Sequence, residues 1–152
     1  MKRNINLIDI TAVKNVVELS RRASAAEKEL LSKVADGRTA FSISEVDNYS
    51  KDSNNPCVRI HHEAQTELIK YLSTLHYKVL CDVRSLMYLG RNGIFDGIET
   101  VPVNQRFSFY RNNGFGYKKR EMIRHIASKS PMLHEYLLTG LQLIGWEEIG
   151  DE

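Results

Sequence analysis

The sequence predicts a single α+β domain in which amphipathic helices pack on one small, mostly antiparallel sheet. Three observations support this fold class. The chain has 152 residues, 42% of them hydrophobic and 26% charged, which is the composition of one ordinary globular domain. Some segments place apolar residues at helical intervals, whereas other short segments alternate apolar and polar residues. A helical pattern is followed by a strand-like pattern three times, in residues 27–44, 66–82 and 134–150.

The first helical pattern covers residues 9–36. Ser24 followed by Glu27 has the spacing of a capping box, so we expect two helices with a short joint at Ser24. Gly37 then ends the second helix, because glycine adopts the left-handed conformation of a helix C-terminus without steric cost. Residues 39–46 alternate apolar and polar side chains and predict a half-buried strand.

The middle of the chain begins with a polar stretch, residues 47–56, which is rich in Asn, Asp and Ser and closed by a proline. This composition predicts an exposed, flexible loop. Residues 58–60 predict a short strand, and apolar positions between residues 64 and 76 predict a helix. The β-branched alternation of residues 77–83 predicts a strand that follows this helix directly.

The last part of the chain combines turn, strand and helix signals. Two dipeptides, Asn92-Gly93 and Asp96-Gly97, are typical of the tight turn of a β-hairpin. Residues 98–110 alternate but contain a proline, so they predict an edge strand, because proline cannot donate to a central ladder. Residues 117–128 and 131–144 predict the last two helices, and residues 146–149 predict a short final strand.

Charge and cysteine content narrow the function classes. Lys and Arg number 21 against 19 Asp and Glu, so the formal net charge of +2 provides no uniform attraction to nucleic acid or anionic lipid. Cys57 and Cys81 fit no zinc-ligand spacing, so we expect reduced thiols, no metal and no other cofactor. No apolar run approaches the ~20 residues of a membrane span, and the first residues lack a signal-peptide pattern. We therefore expect a soluble cytoplasmic protein with no membrane partner.

The densest group of functional side chains lies in residues 106–124, where six basic residues accompany one acid and five aromatic residues. Basic groups neutralise phosphates and aromatic rings stack on unpaired bases, a mixture that suits single-stranded nucleic acid. Tyr and Arg are also frequent anchors of protein interfaces. The candidate binding residues are Arg106, Tyr110, Arg111, Phe115, Tyr117, Lys118, Lys119, Arg120 and Arg124.

The same segment also fits a structural role. In that interpretation Phe107 and Phe109 face the core from a strand, and the basic residues line a solvated helix face. The sequence leaves both interpretations open.

Three consecutive polar residues, His61, His62 and Glu63, form the weaker catalytic candidate at the start of a predicted helix. An imidazole or carboxylate at this position can act as a general base or a metal ligand. The HExxH pattern is incomplete, because Thr66 occupies the place of its second histidine. Helix capping and surface polarity are the alternative explanation.

Helices that break into a terminal strand at His76-Tyr77 or Gly145-Trp146, in a short Asn-rich chain, resemble the small α+β proteins of tailed bacteriophages. The resemblance implies a virion part, an assembly factor or an inhibitor of a host system, located in the host cytoplasm or the virion. We therefore expect a non-enzymatic, homo-oligomeric protein that binds a protein partner or itself. Single-stranded nucleic-acid binding through residues 106–124 is the alternative, and a small hydrolase or nuclease centred on His61, His62 and Glu63 is the second alternative.

Overall fold

A computed structural model of the protein describes residues 6–92 and 101–146, which form seven α-helices, one 3₁₀ turn and no strand. The expected α+β class with a small antiparallel sheet is therefore wrong, and the fold is all-α. In chain order the helices are α1 (Ile10–Ala35), α2 (Ile43–Ser50), α3 (Pro56–Thr74), α4 (Tyr77–Asn92), α5 (Val103–Asn113), α6 (Lys119–Ala127) and α7 (Ser130–Leu143), with the 3₁₀ turn (Gly114–Gly116) between α5 and α6.

Five of the helices form a closed ring. Helix α1 packs against α3 and α7, α3 packs against α6, and both α6 and α7 pack against α4. Helix α5 covers another side of α4. None of the helices within these ranges is long and apolar enough to cross a lipid bilayer.

Helix α4 is the most enclosed element, because every residue from Val79 to Met87 is buried. Residues 77–83 were expected to be a strand, and this expectation is wrong. Aromatic, β-branched or other apolar residues occupy every second position from Tyr77 to Val83, which imitates a strand, but the packing of α4 among its neighbouring helices decides the structure. Three buried polar residues interrupt the apolar surface of α4: Asp82, Arg84 and Ser85.

The strand expected over residues 39–46 is also wrong, because α2 begins inside it at Ile43. The Ser42 hydroxyl accepts the Glu45 backbone N–H at 3.2 Å, and Glu45 accepts the Ser42 backbone N–H at 3.2 Å. This capping box stabilises a helix start, and no residue of α2 is buried. Since α2 extends to Ser50, the connection to α3 consists of residues 51–55 rather than 47–56.

The remaining expected strands do not form within the described residues. Residues 58–60 belong to α3, which starts with Pro56 in its first turn. Residues 103–110 belong to α5, where Phe107 is 1% exposed and Phe109 is 62% exposed. Residues two apart on a helix point in nearly opposite directions, so only one of the two phenylalanines reaches the core. Trp146 follows α7 without strand structure, whereas the turns at residues 93–97, the start of the edge strand and residues 147–149 lie outside the described residues.

Helix α1 is continuous through Ser24, so the expected joint is wrong. The Ser24 hydroxyl instead donates to the Pro131 carbonyl oxygen of α7 at 2.9 Å. The predicted end of this helix is confirmed: Asp36 has a left-handed φ of 47° and Gly37 has a φ of 83°. The helices predicted over residues 64–76, 117–128 and 131–144 are also confirmed as α3, α6 and α7.

Two glycines allow α4 and α7 to cross with their backbones in contact. A Cβ atom on Gly140 would lie 2.4 Å from the Leu86 carbonyl oxygen, and one on Gly90 would lie 1.8 Å from the Tyr136 carbonyl oxygen. Both distances are far below van der Waals contact, and the obstructing atoms are backbone atoms that cannot rotate away. The position of α7 on α4 therefore depends on the absence of side chains at these two residues.

We expect Gly140→Ala to lower the free energy of unfolding by about 3 kcal/mol, because the added methyl forces the two helices apart. Urea denaturation followed by circular dichroism measures this change. Gly116→Ala is the matched control, since a Cβ atom there would have no neighbour within 4 Å. Equal stability of the Gly140→Ala variant and the wild type would contradict the close helix crossing.

Candidate functional site

An open groove of about 770 Å³ lies on the outer surface between α3 and α6. Its α3 wall is formed by residues spaced four apart, and its α6 wall by residues spaced three and four apart, so each helix contributes one continuous stripe. The lining residues are Gln65, Ile69, Ser73, Lys119, Arg120, Ile123, Arg124, Ala127 and Ser128.

The floor of the groove is apolar and partly open to solvent. Ile69 is 43% exposed, Ile123 is half-buried and Ala127 is buried. Two polar contacts fix the walls: the Lys119 ammonium donates to the Ser73 carbonyl oxygen at 3.1 Å, and the Gln65 amide donates to the Ser130 hydroxyl at 2.6 Å. The exposed apolar floor is consequently held in place by links to the neighbouring helices.

The rim of the groove carries positive charge, with Lys119, Arg120 and Arg124 among the lining residues and no carboxylate. The acidic residues Glu63 and Glu67 of α3 line a different depression that faces α1. An exposed apolar patch with a polar rim is typical of an interaction site, and this rim favours an anionic partner.

The aromatic residues of the 106–124 segment lie elsewhere. Tyr110 stacks on Tyr88 with ring centroids 5.5 Å apart, and its hydroxyl accepts the Asn92 amide at 3.1 Å. The Tyr117 ring lies over the Arg84 guanidinium at 5.0 Å. Neither tyrosine lines the groove, and the side chain of Phe115 is outside the described residues. The groove therefore contains none of the described aromatic side chains of this segment.

Arg111 is engaged inside the fold. Its Nε donates to Asp82 Oδ1 at 2.8 Å, and an Nη donates to the Asn6 carbonyl oxygen at 3.2 Å. Asp82 Oδ2 also accepts the Ile8 backbone N–H at 2.9 Å. Arg111 and Asp82 together attach α5 and the residues before α1 to the buried helix α4.

The other two basic candidates also lie outside the groove. Arg106 is half-buried, and within the described part of the chain its buried Nε has no hydrogen-bond partner. Lys118 is exposed, and its backbone N–H donates to Glu121 at 3.2 Å at the start of α6. Of the nine binding candidates, the groove therefore contains Lys119, Arg120 and Arg124.

Burial raises the pKa of Asp82 above its ordinary value. The Ile8 N–H and the Arg111 guanidinium favour the charged form, but the loss of hydration has the larger effect. The folded protein therefore binds a proton on Asp82 more readily than the unfolded chain does.

A smaller cavity of about 230 Å³ lies beside α4 and contains Arg84, Tyr88 and His125. Arg84 lies 4.7 Å from the Tyr88 ring centroid and donates to the Tyr110 carbonyl oxygen at 3.2 Å. The Tyr88 hydroxyl is hydrogen-bonded to His125 Nε2. Burial lowers the pKa of His125, and the nearby cations of Lys129, Arg84 and Arg91 lower it further. This cavity is below the ~300 Å³ of ordinary small-molecule sites, so the groove is the stronger candidate.

His61, His62 and Glu63 do not converge on one point. His61 Nε2 lies 3.6 Å from a Glu27 oxygen of α1, whereas His62 and Glu63 are exposed. Consecutive helical residues point about 100° apart, so the three side chains face different neighbours. Over residues 6–92 and 101–146, no group of three or more His, Cys, Asp or Glu side chains is placed to hold a metal ion. The structure therefore provides no assembled catalytic centre at these residues.

The α3 wall of the groove is the part that sequence reasoning missed. Ile69 follows the helical pattern of α3 and resembles a core position, yet its side chain lines the groove. The regular spacing of Gln65, Ile69 and Ser73 was visible in the sequence, but the pairing of this stripe with α6 depends on the tertiary fold.

Comparison with known proteins identifies no relative: no protein-family model, curated protein or solved structure matches this chain. The resemblance to proteins of tailed bacteriophages accordingly stays an expectation from the sequence. The function is best argued from the groove, which is the largest of the described depressions and carries charge of one sign.

We expect the contribution of Asp82 to the free energy of unfolding to fall as the pH rises through its raised pKa. A carboxyl group whose pKa is raised by folding contributes its full stability below its unfolded pKa of about 4 and loses it as the folded form ionises. The asparagine of the Asp82→Asn variant does not titrate. The free energy of unfolding of the wild type, measured relative to that of the variant, should therefore decrease from acid to neutral pH. Urea denaturation over this pH range measures both proteins.

Asp47→Asn on the exposed helix α2 is the matched control for Asp82→Asn. Parallel pH profiles of wild type and the Asp82→Asn variant would contradict the raised pKa of the buried carboxyl group.

Proposed function

We propose that this protein is a non-enzymatic interaction protein that binds an acidic, amphipathic segment of a protein partner in the α3–α6 groove. The observation that carries the proposal is the combination of an exposed apolar floor with three cations and no carboxylate among the lining residues. The apolar face of a partner helix would cover Ile69 and Ile123, while its acidic residues would face Lys119, Arg120 and Arg124.

The dimensions of the groove support this mode of binding. The α3 wall extends from Gln65 to Ser73, a rise of about 12 Å, which corresponds to about two turns of helix. Amphipathic helices commonly bind in apolar grooves through residues one turn apart. The basic rim adds long-range attraction for an acidic segment and disfavours a basic one.

Single-stranded nucleic acid is the alternative, and the arrangement of the aromatic residues makes it the weaker one. Sequence-independent binding of unpaired bases uses exposed rings next to a basic track. Tyr110 is stacked on Tyr88, and Tyr117, although 50% exposed, lies over Arg84, so neither ring lines the groove. Three rim cations also neutralise few phosphates.

The proposal agrees with the role that the sequence resemblance implies, that of a bacteriophage assembly, virion or host-interaction factor acting in a host cytoplasm or as part of a virion. It includes neither a cofactor nor a membrane partner. The hydrolase alternative has less support, since His61, His62 and Glu63 point away from one another.

We expect Arg120→Glu combined with Arg124→Glu to weaken binding of an acidic amphipathic peptide by at least about tenfold, because repulsion replaces attraction at the rim. The probe is a fluorescein-labelled helical peptide with leucines on one face and glutamates on the other. Fluorescence anisotropy at low salt measures the affinity. The conservative pair Arg120→Lys and Arg124→Lys should keep most of it.

Matched controls separate groove binding from general charge effects. Lys28→Glu combined with Lys51→Glu reverses two exposed charges outside the groove and should leave the affinity unchanged. A peptide with lysines in place of its glutamates should not bind. Tighter binding of a labelled single-stranded oligonucleotide, lost in the same arginine variant, would favour the nucleic-acid alternative. Absence of binding to either probe would overturn the proposal.

A further inference from the structure

We infer that the cavity between α4 and α6 binds a small organic monocarboxylate through Arg84. The cavity measures about 230 Å³, and its walls come from α4, from α6 and from the connection before α6. The lining residues are Arg84, Tyr88, Tyr117, Glu121, Met122 and His125. The cavity and the α3–α6 groove share no lining residue, so this inference is independent of the proposed function.

The charge of Arg84 is the feature that indicates an anionic ligand. Arg84 is only 8% exposed, yet no carboxylate in the described part of the chain forms an ion pair with it. The other buried charge of α4, that of Asp82, is paired with Arg111. A buried guanidinium without a counter-ion is costly in free energy, and a bound anion reduces that cost. The cavity therefore presents a cation that a ligand can neutralise.

The Arg84 guanidinium has hydrogen-bond donors available for such a ligand. One Nη donates to the Tyr110 carbonyl oxygen at 3.2 Å, and the Tyr88 and Tyr117 rings lie against the guanidinium plane. Its Nε and its other Nη donate to no group within residues 6–92 and 101–146, and neither atom is sealed from solvent. Because Arg84 lines the cavity, these two donors open into it. Two adjacent N–H groups of a guanidinium match the two oxygens of a carboxylate.

The remaining walls define the kind of carboxylate. Met122 and the rings of Tyr88 and Tyr117 provide apolar contact for the body of the ligand. Glu121 adds one negative charge to the lining, and the lowered pKa of His125 keeps its imidazole neutral at neutral pH, so a monoanion is favoured over a dianion. The volume of about 230 Å³ holds about seven water molecules at about 30 Å³ each, which suits a small acid such as benzoate.

The test uses sodium benzoate as the probe and its neutral amide, benzamide, as the matched control. Proton–nitrogen NMR spectra of the full-length protein follow the Arg84 Nε–H and the backbone N–H groups of Tyr88 and His125. The titrations are made at neutral pH and constant ionic strength. We expect benzoate to shift these signals saturably and benzamide to leave them unchanged, because benzamide has a similar shape but no charge.

Two variants separate ligand binding from a purely structural role of Arg84. Arg84→Gln should weaken benzoate binding by at least about tenfold, because two charge-assisted hydrogen bonds are lost. Glu121→Gln removes a like charge from the lining and keeps a residue that suits the capping box of α6, so benzoate binding should become about two- to fivefold tighter. Arg59→Gln on the exposed side of α3 is the control and should bind benzoate as the wild type does.

Four results would overturn the inference: no saturable shift with benzoate, equal binding of benzoate and benzamide, tighter binding of inorganic phosphate than of benzoate, or unchanged benzoate affinity in a folded Arg84→Gln variant. Circular dichroism establishes whether each variant is folded. Should Arg84→Gln prevent folding, Glu121→Gln decides: tighter benzoate binding supports the site, and unchanged or weaker binding removes it. Binding of the acidic peptide to the groove involves other side chains, so these results leave the proposed function to its own test.

Discussion

The enclosure of α4 is the constraint on which the rest of the structure depends. A buried charge is costly unless it is paired and hydrogen-bonded, and α4 carries both Asp82 and Arg84 into the interior. Asp82 is paired from outside α4 by Arg111 and the Ile8 N–H. Arg84 contacts the Tyr110 carbonyl oxygen and the Tyr117 ring outside α4, and the Tyr88 ring within it. Helix α5 and the residues before α1 therefore take their positions from the polar groups of α4.

Because of this constraint, the basic and aromatic residues of 106–124 have two different surroundings in the fold. Arg111, Tyr110 and Tyr117 contact side chains of α4, and none of the three lines the groove. Met122 and Ile126 make the buried face of α6. Arg120 and Arg124 are exposed, whereas Lys119 links α6 to the Ser73 carbonyl oxygen of α3. The groove combines these exposed cations with an apolar floor, and the proposed binding rests on that combination.

Helices α6 and α7 and the C-terminal part of α3 could be predicted, because their apolar residues recur at helical intervals. Helix α4 was taken for a strand because residues 77–83 place apolar side chains at every second position, a local pattern that tertiary packing overrides. Helices α2 and α5 bury little, so the chance alternation of their apolar residues resembled strands. Three residues of the groove, Lys119, Arg120 and Arg124, belong to the basic segment singled out from the sequence, whereas the α3 wall was not singled out because its pairing with α6 depends on the tertiary fold.

By itself, the sequence determined the features that act within a turn or two of chain: the end of α1 at Asp36 and Gly37, the start of α7 near Pro131, and the concentration of basic residues in one segment. Only the tertiary structure decided which of those basic residues face solvent. The deciding contacts join distant residues: Arg111 pairs with Asp82 across 29 positions, and Lys119 reaches Ser73 across 46. Local propensity carries no information about such pairs, because they depend on which helices the burial of α4 brings together.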